Sequence, residues 1–270
     1  MTSKKKIRAD CKDVWNVFMV RGATFSETGI PFCPTTAKEI PCNLISYTEA
    51  RAIYNRQMKR GNKNFFVNAF VHFYQHDYKF DGKRCGIWFH PRRAAEIFRH
   101  FAGIITPDFS TNLDFPFPWK IFNTYRMRTF GYWYGTLGGA VINNVRWGEA
   151  DTFSWTFEGI PHNSIVSIGT VASGLHNSEN RELFETGFTK LLEVLKPHTP
   201  LRKKIMSKPD SGHFHGANGK GGSSTLPLFS NGHVTYESIA EHREASPSKR
   251  LQILVSPDGS KRHSENLYSR

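Results

Sequence analysis

Between residues 46 and 197, short apolar runs alternate with longer stretches whose apolar residues recur every three to four positions. Ser46 and Glu49 make an S-x-x-E capping box. Behind it, YTEARAIYNRQMKRG has helical spacing, with basic residues in its last turn and Gly61 as its stop. NFFVNAFVHFYQHD, rich in apolar and β-prone residues, predicts a strand ending near Asp77, and YKFDGKRCGIWF is the loop after it. Pro91 opens a second helix, PRRAAEIFRHFAG, with Pro in the first turn and Gly at the end. GIIT predicts a short strand and PDFSTNLDFPFP its loop. WKIFNTYRMRTFGYWYGTLG predicts the longest helix, with Ile121, Phe122, Tyr125, Arg128 and Tyr132 at helical spacing and Arg128 snorkelling to solvent. AVINNVRW predicts a strand, GEADTFSWTFEGIP a loop with one helical turn, SIVSIGTV a strand and ASGLHN its loop. SENRELFETGFTKLLEVLKP predicts an amphipathic helix, with Leu183, Phe184, Phe188, Leu191, Leu192 and Leu195 on its apolar face and Pro197 as its stop.

The order is β-α-β-α-β-loop-β-α. Short apolar strands alternating with amphipathic helices imply parallel strands and right-handed crossovers. The expected fold is α/β, a mainly parallel open sheet or a partial (β/α) barrel, and in either case ligands bind beyond the C-terminal ends of the strands. Residues 1–13 are expected to be a basic, disordered start and 14–197 a single α/β domain. Within that domain, 14–22 forms a short buried element and 23–45 a loop. Residues 198–270 are Gly-, Ser- and His-rich and read as a mostly disordered tail, with a small element near 233–257 in which LQILVSPDG holds one strand.

The 270 residues carry a net charge of +13. Residues 1–13 contribute +3 of it, 198–270 contribute +5, and the 184 residues between them only +5. More than half of the excess therefore lies in the flanks. Solvated ends explain it, and so does a nucleic-acid partner. No apolar run approaches the roughly 20 residues that span a bilayer, and the basic start has no apolar stretch behind it, so no membrane association is expected and the setting is cytoplasmic. Cys33 and Cys42 flank a loop and have a spacing open to zinc or a disulfide, but none of the four cysteines stands in a C-x-x-C pair, and reduced thiols are the plain reading. The sequence carries no signal of oligomeric state.

With the strand exits on one rim, the acids Asp77, Asp108, Glu149 and Glu158 become the candidate catalytic residues. Asp81, Ser110, Thr170 and Ser173 lie nearby. Carboxylates converging on one rim suit general acid/base chemistry, or a divalent metal ion held by oxygen ligands. Asn123 and Arg126 share a helix face at i, i+3, and with Arg146 and Trp147 they are the candidate substrate-binding residues; an arginine there can hold a carboxylate or phosphate. Each also has a structural reading: Asp108 as a turn former or cap, Asp77 as a loop acid, Glu158 and the arginines as partners in salt bridges. The aromatics Tyr132, Trp133, Tyr134, Trp147, Trp155 and Phe157 suit either the core or base stacking. His213 and His215 sit in the tail without metal-ligand partners. GANGKGGSS lacks the spacing of a phosphate-binding loop, and no G-x-S-x-G or Ser-His-Asp arrangement is present.

At HFYQHDYKFDG, ITPDFS, NTYRMRTFGYWYG, NNVRWGE and FEGIPHNSIVSIGT, the chain resembles the family filed as domain of unknown function 4417, over about Ile40 to Pro197. That resemblance implies a bacterial, phage or mobile-element setting and no defined reaction. The chain departs from the family in carrying Asn143 where relatives have proline. It also departs after Pro197, where the family continues into another strand. Two functions remain. One is an enzyme-like domain with a polar pocket, hydrolytic or nucleic-acid-processing. The other is a non-catalytic nucleic-acid-binding accessory protein that uses basic flanks and aromatic residues.

Overall fold

A computed structural model describes residues 15–84, 86–169, 178–196 and 252–255. Five parallel strands stand side by side in chain order: β1 (Leu44–Ser46), β2 (Val67–His72), β3 (Phe101–Ile105), β4 (Val141–Val145) and β5 (Val166–Gly169). β6 (Gln252–Val255) pairs antiparallel with β5. The described residues hold four α-helices: α1 (Tyr47–Lys59), α2 (Pro91–Phe98), α3 (Phe117–Thr136) and α4 (Ser178–Leu195). Three 3-10 turns lie at Val17–Val20, Asp77–Lys79 and Ala150–Ser154. The order of the parallel strands never reverses, so there is no switch point of the doubly wound kind. Right-handed crossovers then put the helices on one face, and the sheet curls into a half-barrel. Of the two expected α/β architectures, this is the partial barrel.

Period-2 alternation sorts the strand side chains. Val71, Phe73, Ile104 and Val141 face the helices and pack with Ala94, Ile97, Phe98, Met127, Phe130 and Trp133. Farther along the sheet, Val145, Val166 and Ile168 pack with Phe184, Leu191 and Leu195 of α4. The concave face holds Phe70, Tyr74, Ile105, Ile142 and Ile165. Toward the strand C-termini that face turns polar, with Asn144 and Ser167 buried beside Tyr74.

Two local readings are corrected. The stretch 23–45, expected to be a loop, contains most of β1: Leu44, Ile45 and Ser46 pair with Phe70, Val71 and His72. Three residues are too few to display a period of two, so only pairing reveals the strand. Arg128 does not snorkel. It is fully buried, and its guanidinium donates to the carbonyls of Asn144 (2.9 Å), Thr156 (3.1 Å) and Glu158 (3.2 Å). α3 is buried on nearly every side, so its apolar spacing marks no solvent face. Asn143, where the resembling family has proline, donates to the Cys33 carbonyl at 2.9 Å. Thr36 and Ala37 donate to the Val141 carbonyl, so the N-terminal segment is sewn onto β4. The expected basic start, His213, His215 and most of the expected tail lie outside the described residues.

Candidate functional site

Three of the eight candidate residues meet at a cavity of about 170 Å3 over the C-terminal ends of β3, β4 and β5. Asp108 leaves β3, while Arg146 and Trp147 leave β4. Thr111, Asn112 and Leu113 come from the β3–α3 loop, and Asn180, Leu183 and Phe184 from α4. A cavity of roughly 150 Å3 holds one benzene-sized group, so this one has room for a single ring or phosphate-sized moiety.

Asp108 is 8% exposed and fixed from two sides. Oδ1 accepts from the Asn144 amide at 2.8 Å, and Oδ2 accepts from the Arg146 guanidinium at 3.0 Å. Each oxygen keeps a further acceptor site. The hydrogen bonding continues inward: the Tyr74 hydroxyl donates to Asn144 Oδ1 at 2.8 Å and lies 2.7 Å from the Ser167 hydroxyl. Burial first, and the Asp108 charge second, push the Tyr74 phenol well above its ordinary pKa, so it stays a neutral donor. Arg146 also reaches Asn112 Oδ1 at 3.2 Å, and its backbone carbonyl accepts from the Thr156 hydroxyl. Thr111 is 4% exposed, lines the cavity, and among the described residues its hydroxyl has no hydrogen-bond partner. An unpaired buried hydroxyl is costly, and a ligand group would satisfy it. Trp147 donates to the Leu183 carbonyl at 3.3 Å and packs on Phe184, which ties α4 to the rim.

The other candidates lie elsewhere. Asp77 accepts from the Ser110 backbone N–H (3.0 Å) and hydroxyl (2.8 Å). Asn123 donates to the Ser110 carbonyl and accepts from Arg126 Nε (3.1 Å) and Nη2 (2.6 Å). Arg126 also pairs with Asp81 at 2.8 Å, and its guanidinium lies 3.9 Å from the Phe109 ring centre. This cluster fastens the loops after β2 and β3 to α3. Burial raises the Asp81 carboxyl and lowers the Arg126 guanidinium, against their mutual attraction. The Glu158 carboxylate accepts from Ser26 (2.6 Å) and Thr28, holding the N-terminal segment, and does not line the cavity. Glu149 is exposed ahead of a 3-10 turn. The four acids thus do not converge as one set, and among the described residues no three Asp, Glu, His or Cys side chains group to hold a metal ion.

Tyr74, Asn144, Ser167 and Thr111 were not singled out from the sequence. The usable signal was Asn143–Asn144 inside an otherwise apolar strand. Buried amides call for partners, and Asn144 finds them in Asp108 and Tyr74, Asn143 in the carbonyl of Cys33.

Fold and lining together describe an α/β half-barrel domain with a small cavity of mixed polar and apolar lining above β3–β5. The chain belongs to the family described as domain of unknown function DUF4417, whose model matches residues 23–207. It is similar to the Gene 1 protein of Mycobacterium phage L5, 32% identical over 128 residues, which is 47% of this chain and 53% of that protein. It is also similar to the Gene 1 protein of Mycobacterium phage D29, 31% identical over 165 residues, which is 61% of this chain and 55% of that one. The chain spans about half the length of these curated relatives. No solved structure matches it. No helix among the described residues is long and apolar enough to cross a membrane.

Proposed function

We propose that this phage-related domain binds a small anionic group in the cavity above β3–β5 and hydrolyses a bond to it, with Asp108 as general base. The observation that carries this reading is the Asp108 carboxylate, held in one orientation by Asn144 and Arg146 on the wall of a ring-sized cavity. Arg146 is partly exposed and keeps N–H groups beyond those given to Asp108 and Asn112, which suits a phosphate or carboxylate oxygen. The Thr111 hydroxyl, without a partner among the described residues, offers a further contact. A water beside Asp108 would lose its proton to the free acceptor site as its oxygen bonds to phosphorus and the ester P–O bond breaks, the alcohol or phenol leaving as its oxyanion and taking a proton from solvent.

The test is a screen of p-nitrophenyl phosphate and bis(p-nitrophenyl) phosphate turnover, with thermal shifts in millimolar mononucleotides. Asp108→Asn is expected to lower kcat by about 10²- to 10⁴-fold, and Arg146→Ala to raise KM. If the parent chain turns over neither ester and no nucleotide shifts its Tm, the reading fails.

A further inference from the structure

Charge is spread unevenly along the chain. Residues 50–76 carry five basic residues, Arg51, Arg56, Lys59, Arg60 and Lys63, and no Asp or Glu. The remainder of 14–197 carries fifteen basic and fifteen acidic residues, so this one stretch holds the whole excess of that region.

α1 turns the excess toward solvent. Tyr47 and Ala50 are buried in the core, and Tyr54 packs against it. Helical periodicity then places Ala52, Asn55, Arg56 and Lys59 on the opposite side, and all four are exposed. Arg60 and Lys63, also exposed, extend that face past the helix end. The end is a fixed turn. Gly61 has φ +74°, and the N–H groups of Gly61 and Asn62 donate to the carbonyls of Met58 and Gln57, each at 3.0 Å. The Asn62 side chain donates to Gln57 Oε1 at 3.1 Å, and the Lys63 N–H to the Gly61 carbonyl at 3.1 Å.

No acid answers these cations. The ion pairs among the described residues are Arg99–Glu96, Arg126–Asp81, Arg146–Asp108 and Lys190–Glu193, and none involves Arg56, Lys59, Arg60 or Lys63. Glu49, the acid of α1, lies in its first turn and closes the capping box with Ser46. A cation in the last turn complements the helix dipole. Arg56, however, stands one turn from both Lys59 and Arg60, and like charges at those spacings destabilise a helix. A polyanion laid along the face would relieve that repulsion. Besides its cations, the exposed side chains of α1 are Thr48, Ala52 and Asn55, so the helix offers a bilayer no large apolar group. The exposed amides of Asn55, Asn62 and Asn64 suit phosphate and sugar oxygens.

We propose that the outer face and C-terminal turn of α1 bind the phosphate backbone of double-stranded nucleic acid. Arg56 and Arg60 take phosphates bidentately, and Lys59 and Lys63 add point charges. The outer face of α1 carries no ring to stack an unpaired base, so the contacts go to the backbone and are independent of sequence. α1 follows the C-terminal end of β1 and returns toward the start of β2, which puts its basic end at the end of the sheet away from the cavity.

The experiment is fluorescence anisotropy of the full chain with a labelled duplex of about 20 base pairs, titrated between roughly 50 and 200 mM salt. Log affinity is expected to fall linearly with log salt, and two duplexes of unrelated sequence should behave alike. Replacing Arg56, Lys59, Arg60 and Lys63 by Gln should make the slope shallower by about 3.6, at about 0.9 per phosphate contact. Replacing Lys83, Arg84, Arg92 and Arg93 by Gln removes the same charge from the loop after β2 and the start of α2, and should leave the slope as in the parent. Contacts made elsewhere on the chain are common to all variants and cancel in the comparison of slopes. Arg56→Lys with Arg60→Lys should keep the slope. Asp108→Asn should bind the duplex like the parent chain, so loss of the cavity reading and loss of this one are distinguishable. Circular dichroism checks that each variant is folded. Absence of binding at low salt, an unchanged slope in the α1 variant, or an equal change in both Gln variants would each overturn the proposal. Binding to vesicles containing phosphatidylserine that the α1 variant loses, without duplex binding, would assign the face to a membrane surface instead.

Discussion

Arg128 ties α3 to β4 and to the loop after it from within the core. It is a fully buried cation that, among the described residues, donates to the backbone carbonyls of Asn144, Thr156 and Glu158. Burial lowers its pKa to about 10, so at neutral pH it remains charged. Three carbonyls from β4 and the loop after it converge on one planar fork, which lysine cannot reproduce. Arg128→Met is expected to leave all three unpaired and to cost at least about 3 kcal/mol, at roughly 1–3 kcal/mol for each buried group left unsatisfied. A urea titration monitored by tryptophan fluorescence measures it. Asp108 shows the same economy at the rim: one carboxylate joins β3 to β4 through Asn144 and Arg146 and still faces the cavity.

At the scale of elements, the cavity depends on how closely α4 approaches the exit of β4. Gly187 sets that distance. A Cβ built there would collide with the Trp147 indole, the ring that donates to the Leu183 carbonyl and borders the cavity. Gly187→Ala is therefore expected to push α4 or the indole outward, at a cost of about 1–3 kcal/mol from overpacking. A lowered Tm together with a red-shifted tryptophan emission would register the displacement. α3 acts differently. From Phe122 onward it packs on the core, through Phe122, Tyr125, Met127, Phe130 and Trp133, while Phe117 and Trp119 at its start stay exposed. Asn123 and Arg126 are spent on fastening loops.

For the whole molecule, buried acids predict the response to alkali. Burial pushes the Cys33 thiol from 9.0 up to about 12, despite Arg128 nearby, and the Tyr134 phenol from 10.0 up to about 12. In the unfolded chain both groups ionise earlier, so above pH 9 the unfolded state holds fewer protons than the folded one. The stability they contribute is fully present below pH 9 and is lost as pH rises toward about 12. At about 1.4 kcal/mol per unit, Cys33 alone accounts for roughly 4 kcal/mol. Arg128 opposes the loss only above pH 10, where its lowered pKa lets the folded state shed a proton first. Urea midpoints should hold up to about pH 9 and fall between pH 9 and 11, and Cys33→Ala should flatten the fall between pH 9 and 10.

Along the chain, local signals were enough for every helix and for the strands from β2 to β5, because each has enough residues to show its period or its stop: Ser46 with Glu49, Pro91, and the Leu and Phe stripe of α4. The same signals implied the α/β class and named Asp108, Arg146 and Trp147 as rim residues. They were silent on β1, which has three residues and exists through pairing with β2. They were equally silent on which polar groups are spent inside the fold. Asp77, Arg126 and Glu158 look from the sequence like Asp108, but tertiary packing supplies them with Ser110, Asp81 and the Ser26–Thr28 turn. A carboxylate's role depends on what long-range contacts bring to its oxygens. Periodicity carries only local information, so the curl of the sheet, the burial of Arg128 and the separation of the Asp108–Arg146 pair from the Arg126–Asp81 pair were decided by tertiary structure alone.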